Sequence, residues 1–201
     1  MASSTHAAVD VRRLWPADMA LFRDHLLRLD SRSRHERFSG GMSDDFLIRY
    51  AQNCFGEGDL VFGAFVDGVM RGAAELRSSE AIWSEQAPFQ RHIHAEAAFS
   101  VEEPYRRRGL GEALFGRVEQ AASNHGVETI EIVCAPDNVP MIRLAGKFKT
   151  KFSFEENQLT GRLAARLPTA FSLLREASRD VMDLTASVFD ARTRDADLGA
   201  A

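Results

Sequence analysis

The sequence predicts a mixed α/β protein, a sheet flanked by helices, and three observations carry that expectation. Apolar runs with strand character alternate with segments of helical periodicity along the chain. Two such runs, Leu60–Val66 and Val69–Leu76, are separated only by Asp67-Gly68. Asp-Gly in that setting marks a tight hairpin, because both central residues of the turn need positive φ. Further on, a strand ends in a basic, glycine-bearing turn that runs directly into a helix over Gly109–Asn124. Strands interleaved with helices around one early hairpin imply a mixed sheet. A chain of 201 residues suits a single domain, with its core over about residues 9–167.

The elements follow in order. Val9–Trp15 reads as a strand, and Pro16-Ala17-Asp18 starts a helix, since proline and an acidic residue favour a first turn. Met19, Phe22, Leu26, Leu27 and Leu29 continue that helix through Asp30. Ser31–Met42 is polar, carries Arg32, Arg34, Arg37 and two glycines, and is expected to be a connecting loop. Ser43 is placed to cap a second helix with Phe46, Leu47, Tyr50 and Ala51 on one face, ending near Cys54–Gly56. After the hairpin come a loose segment, Arg77–Arg91, and a strand, His92–Val101. The helix from Gly109 shows Leu110, Ala113, Leu114, Val118 and Ala121 on one stripe. Val127–Cys134 is expected to be a buried strand, Ala135–Asn138 a loop, and Val139–Lys147 a short helix with Pro140 in its first turn. Lys149–Phe154 and Leu159–Leu167 form a strand pair, and Thr169–Phe189 an amphipathic helix with Phe171, Leu174, Val181, Leu184 and Val188 on its apolar side. The polar, alanine-rich last dozen residues are expected to fray.

Composition narrows the function. Apolar residues make up 45% and charged residues 27%, ordinary values for a globular protein. Uncharged apolar stretches fall far short of the roughly 20 residues a membrane span needs. The N-terminus lacks the basic-then-apolar pattern of a secretion signal, so a cytoplasmic, membrane-free protein is expected. A net charge of −4 disfavours nucleic acid as a partner. Two cysteines, Cys54 and Cys134, make no disulfide framework, and the six histidines form no metal-binding motif, so no metal is expected.

The informative stretch is Val101-Glu-Glu-Pro-Tyr-Arg-Arg-Arg-Gly-Leu-Gly-Glu-Ala-Leu-Phe115. Amides at a helix start have no intrahelical acceptor, and the helix dipole adds about half a positive charge there. Gly109 and Gly111 let backbone approach a phosphate, and Arg106–Arg108 add donors suited to its oxygens. The glycine spacing fits neither the dinucleotide fingerprint GxGxxG nor the P-loop GxxxxGK[ST].

Arg106-Arg107-Arg108-Gly109-Leu110-Gly111 matches [QR]-x-x-G-x-[GA], the signature of the GNAT superfamily of N-acetyltransferases. The sequence resembles that family from about Val9 to Leu167. Its setting agrees too: a strand ending in Val101, the acidic-Pro-Tyr lead-in, the helix at once, then Asn138 before a short helix. The segment Ser31–Met42 resembles the branch that includes bacterial protein-lysine acetyltransferases. The resemblance implies a mostly antiparallel sheet flanked by helices, here with an extra C-terminal helix, and acetyl-CoA as acyl donor. It further implies that Arg106, Arg107, Arg108, Gly109, Leu110, Gly111 and Glu112 hold the CoA pyrophosphate. Phe99 and Val101 would contact the pantetheine arm, with Asn138 near its distal end. An amine acceptor, small molecule or protein lysine, would enter between the first helices and the hairpin, beside Ser31–Met42.

Acetyl transfer to an amine requires loss of the ammonium proton, polarisation of the thioester and protonation of the thiolate. Glu96 is the candidate base, on the same strand face as His94 and Ala98, and Glu75 on the neighbouring strand is the alternative. Counted back from Val101, Glu96 stands one position off several family patterns, a difference that a β-bulge would absorb. The family's tyrosine acid is missing: Ala145, or Leu144 with a shift of one, occupies its place, and the only tyrosines are Tyr50 and Tyr105. That gap keeps open a non-catalytic acyl-CoA sensor, and the anion loop alone leaves open a nucleotide-phosphate regulator. Cys134 offers a less direct acyl-cysteine route. The apolar face of the last helix needs a cover, from its own domain or from a second subunit in a homodimer.

Overall fold

The computed structural model describes residues 9–56, 58–78, 93–155 and 157–199. Seven strands form one sheet: β1 (Asp10–Leu14), β2 (Leu60–Val66), β3 (Val69–Arg77), β4 (Ile93–Val101), β5 (Val127–Cys134), β6 (Lys151–Glu155) and β7 (Gln158–Ala164). Their order is β1-β2-β3-β4-β5-β7-β6. Every neighbouring pair is antiparallel except β4–β5, which is parallel. The six helices are α1 (Met19–Arg28), α2 (Ser31–Phe38), α3 (Asp44–Gln52), α4 (Leu110–Asn124), α5 (Val139–Lys147) and α6 (Ala170–Gly199). The β2–β3 turn has Asp67 at φ 51° and Gly68 at φ 75°, as the Asp-Gly pair predicts. Most of the expected loose segment Arg77–Arg91, and His92 after it, lie outside the described residues.

Strand alternation divides the core into two layers. Phe62, Leu76, Ile130 and Ile132 face Leu114, Phe115 and Val118 of α4. Val61, Phe65 and Ala73 face Phe22 and Leu26 of α1 and Leu47 of α3. The stripes read from sequence on α1, α3 and α4 are therefore the ones that pack.

Two expectations fail. Ser31–Phe38 is helix α2, not loop. Asp30 caps it, accepting from Ser33 N at 2.9 Å and Ser33 Oγ at 2.6 Å, and Arg32 pairs with Glu36 one turn on at 2.9 Å. A helix set by capping and an i,i+4 ion pair, with little apolar periodicity, leaves no stripe in the sequence. At the other end, the tail does not fray at Phe189: α6 runs on to Gly199.

α6 is held by its polar face. Asp180 pairs with Arg13 at 2.7 Å, Asp183 with Arg117 at 3.1 Å and with Arg13 N at 2.8 Å, and Asp190 with Arg12 at 3.0 Å. Glu176 bonds to Asn124, and Ser172 Oγ donates to Asn124 Oδ1 at 2.7 Å. Its own domain therefore leaves the apolar face uncovered, with Phe171, Leu174 and Val181 all about two-thirds exposed or more.

Candidate active site

β4 and β5 pair only from Ile93↔Val127 to Glu96↔Glu131. Beyond that point Ala97–Val101 pair with β3 alone, and Ile132–Cys134 with β7 alone. The two parallel strands thus diverge, with Glu96 at the apex. From Glu96 to Val101 the opening runs about 17 Å, at roughly 3.3 Å per strand residue. Phe99, Phe115 and Phe148 stack behind it, with centroids 5.1 and 4.0 Å apart, and fix β4 to α4 and α5.

The opening belongs to a cleft of about 600 Å³. Its floor is Phe99, Ser100 and Val101, and one end is the turn Arg106–Glu112. α5 contributes Asn138, Met141 and Leu144, and α2 contributes Ser33, Glu36 and Arg37. At the turn, Arg107 takes φ 60° and Gly109 φ 88°. A Cβ added to Gly109 would meet nothing within 4 Å, so the space over this residue is open. Gly109 is the N-cap of α4 and offers no side-chain cap, so the first amides of the helix have no capping acceptor from it. Gly111 lies against α5, where a Cβ would come within 3.2 Å of Leu144 Cδ2.

The cations of the turn divide. Arg106 is tied back to α2, donating to Ser33 Oγ at 2.8 Å and Glu36 Oε2 at 2.9 Å, so its charge is already matched. Arg107 is exposed at the cleft, and Arg108 lies over the Tyr105 ring at 5.2 Å. Glu112 pairs with Lys147 at 2.6 Å, which leaves its backbone amide as its contribution to the turn. Asn138 Oδ1 caps α5, accepting from Met141 N at 3.1 Å. Arg143 and Tyr105 also line the cleft. The sequence reading did not single out Arg143 as a ligand, because a lone arginine on a short helix gives no pattern.

The two candidate bases have opposite surroundings. Glu96 is exposed, and β3–β4 pairing runs on from it without interruption from Arg77↔Glu96 to Gly72↔Val101. The only irregularity in β4 pairing falls between Ile93 and His94, where β5 skips Glu128. Glu75 is 2% exposed and fully engaged: it accepts from Arg37 Nη2 at 2.7 Å, Tyr50 Oη at 2.6 Å and Cys54 Sγ at 3.5 Å. Burial and the Glu75 carboxylate push the Tyr50 hydroxyl and the Cys54 thiol well above their ordinary values. Burial alone raises the Cys134 thiol, a poor setting for an acyl-cysteine. Ala145, where the family's tyrosine would stand, is fully buried. Among the described residues no acidic, histidine and cysteine side chains gather as a metal site.

A second buried network braces the far end of β4. Glu102 accepts from Arg28 Nε and Arg71 Nη1, both at 2.9 Å, and from His25 Nδ1 at 3.2 Å. Because the carboxylate only accepts, neutral His25 carries its proton on Nδ1, and Nε2 accepts from Ser100 Oγ at 2.9 Å. Burial holds His25 below its usual 6.5, partly opposed by Glu102. Burial would raise Glu102, but bonds from His25, Arg28 and Arg71 prevail and bring it to about 2 from 4.5. Below pH 6.5 the unfolded chain binds a proton that folded His25 refuses, so stability falls with falling pH. Glu102 adds a second loss between 4.5 and about 2, as its unfolded carboxylate protonates first. Thermal unfolding followed against pH should show both declines, and His25→Gln should remove the upper one while Arg28 and Arg71 preserve part of the lower.

The chain matches the Acetyltransferase (GNAT) family over residues 23–149, well over half its length. It belongs to the GNAT family. This GNAT chain superposes on the GNAT domain of S. lividans PAT with a TM-score of 0.64 at 19% identity, covering 78% of this chain and 90% of that one. It also resembles yncA from Salmonella typhimurium, solved with its cofactor acetyl-CoA, with a TM-score of 0.57 at 17% identity and coverage of 81% and 96%. The aminoglycoside acetyltransferase AAC(6')-Ib in complex with coenzyme A gives 0.56 at 16% identity, covering 84% and 98%. At such identities the likeness is one of fold. The mixed, mostly antiparallel sheet with its added C-terminal helix is the fold that the family resemblance implied. No helix among the described residues is long and apolar enough to cross a membrane.

Proposed function

We propose that this GNAT chain transfers the acetyl group of acetyl-CoA to a primary amine by direct attack. The divergence of β4 from β5 beyond Glu96, opening onto the uncapped start of α4, is the observation that carries the reading. In it, the CoA pyrophosphate lies on the amides of Gly109–Glu112 with Arg107 and Arg108 beside it. The pantetheine arm follows Phe99 and Val101 toward the apex, and Asn138 borders it from α5.

Glu96 then stands where the amine arrives, and it takes the ammonium proton, directly or through water, on the α2 side of the sheet. Glu75 does not serve, because three donors occupy its oxygens in a closed pocket. The C–N bond forms as the C–S bond breaks. With Leu144 and Ala145 in the tyrosine's place, the thiolate takes its proton from solvent. Ser100 stands four residues along β4 from Glu96, about 13 Å, so its bond to His25 braces the strand rather than reaching the acetyl group. The acceptor passes α2, whose Ser33, Glu36 and Arg37 border the cleft.

Calorimetric titration with acetyl-CoA, with ATP and NAD as controls, followed by a thiol-release screen over small amines and lysine peptides, tests the reading. Loss of saturable acetyl-CoA binding would sink it. Once an acceptor is found, Glu96→Gln should lower kcat about 100-fold or more while leaving acetyl-CoA affinity unchanged, the size expected for removing a general base. An unaltered rate would remove Glu96 from the mechanism. The buried Ala145 favours a second reading, an acyl-CoA sensor, and binding without thiol release from any amine would select it.

A further inference from the structure

The amphipathicity of α6 is turned inside out. Glu176, Asp180, Asp183 and Asp190, which a helix would ordinarily present to water, face the chain's own Arg12, Arg13, Arg117 and Asn124. Only Ser172 and Ser187 are buried along the described part of this helix. Phe171, Leu174, Val181, Met182, Val188 and Phe189 point away, each 40–72% exposed. These six expose on the order of 700 Å² of apolar residue surface, more than the roughly 300–600 Å² of a monomer's largest patch. It approaches the roughly 800 Å² that each partner gives to a standard interface.

The spacing states what the surface fits. Phe171, Leu174, Ser178, Val181, Thr185 and Val188 recur at intervals of three and four, the repeat of a seam between two helices. Met182 and Phe189 flank it on one side, and Ala177 and Leu184 on the other. The two polar positions are prepared for burial. Ser178 Oγ donates to Leu174 O at 2.9 Å and Thr185 Oγ1 to Val181 O at 2.8 Å, so neither hydroxyl proton needs a partner across the seam.

We propose that α6 pairs antiparallel with α6 of a second copy of this chain, making a two-fold dimer. In that register Phe171 lies against Val188 of the second copy, Leu174 against Thr185, and Ser178 against Val181. Each small or polar residue then meets an apolar one. A parallel pair would instead stack Ser178 on Ser178, Thr185 on Thr185 and the Arg192 charges on each other. Opposed helix dipoles also favour the antiparallel pair. α6 packs on β1 and α4, and the cleft is lined by α2, β4, the Arg106–Glu112 turn and α5, so pairing leaves the cleft accessible.

Sedimentation and light scattering of the wild-type chain should give a dimer at high micromolar concentration. Val181→Glu, at a position exposed in the single chain, should raise the dimer dissociation constant roughly 100-fold or more by placing a charge in the seam. Its thermal unfolding and acetyl-CoA titration should otherwise match those of a diluted wild type. Leu174→Cys/Thr185→Cys should oxidise to a covalent dimer, and neither single variant should. A wild-type monomer overturns the proposal, and one that binds phosphatidylcholine vesicles assigns the face to a lipid surface instead. A dimer that survives Val181→Glu places the interface elsewhere, and a disulfide dimer of Leu174→Cys alone replaces the antiparallel arrangement.

Discussion

Gly109→Glu should weaken acetyl-CoA binding by roughly 100-fold or more, about 2.7 kcal/mol, while the protein stays folded. The position has φ 88°, where a residue with a Cβ is strained by about 1–2 kcal/mol, yet the space around it is empty, so no clash adds to that strain. A carboxylate at the start of α4 is itself favoured by the helix dipole, which helps the fold tolerate it. That carboxylate would occupy the field proposed for the pyrophosphate and repel it. Gly109→Ala separates the effects: it brings the strain without the charge and should cost affinity only a few-fold. Calorimetry on both variants, alongside their melting curves, makes the comparison. A Gly109→Glu protein that binds acetyl-CoA as tightly as wild type would mean that the turn does not hold the donor.

Glu75→Ala should destabilise the fold by about 3–5 kcal/mol, because it leaves a buried guanidinium without its counter-charge. Arg37 is held as a cation against burial by Glu75 and Tyr50, and its Nε has no partner among the described residues. With the carboxylate gone, Tyr50 Oη and Cys54 Sγ also lose their acceptor. Glu75→Gln keeps one acceptor oxygen and should recover part of the loss. Denaturant unfolding measures both. A Glu75→Ala protein of wild-type stability but without activity would exchange the roles assigned here to the two glutamates, making Glu75 the base and Glu96 a surface residue.

The two glutamates show how far sequence reaches. Both stand on strands, on the same face, in a chain whose family places a base on that sheet, so alternation alone leaves them equivalent. They differ in what approaches from elsewhere. α2, which carries Arg37, has too little apolar periodicity to be recognised, and it is this helix that closes over Glu75 and ties Arg106 to Ser33 and Glu36. The turn's geometry was legible because it is local: the amides, the glycine φ and the arginines all lie within a dozen residues. Arg143 reaches the same cleft from α5, and no local pattern announces it.

Periodicity and turn chemistry in the sequence determined the strands, five of the six helices, the Asp67-Gly68 hairpin and the strand–turn–helix proposed here as the anion site. These depend on near neighbours in the chain, whose geometry a few residues fix. Only the tertiary structure decided where β4 leaves β5, which glutamate stays open to solvent and which way α6 turns its stripe. The last two of those outcomes depend on charges far apart in sequence, such as Arg37 with Glu75 and Arg12 with Asp190, meeting across packed elements.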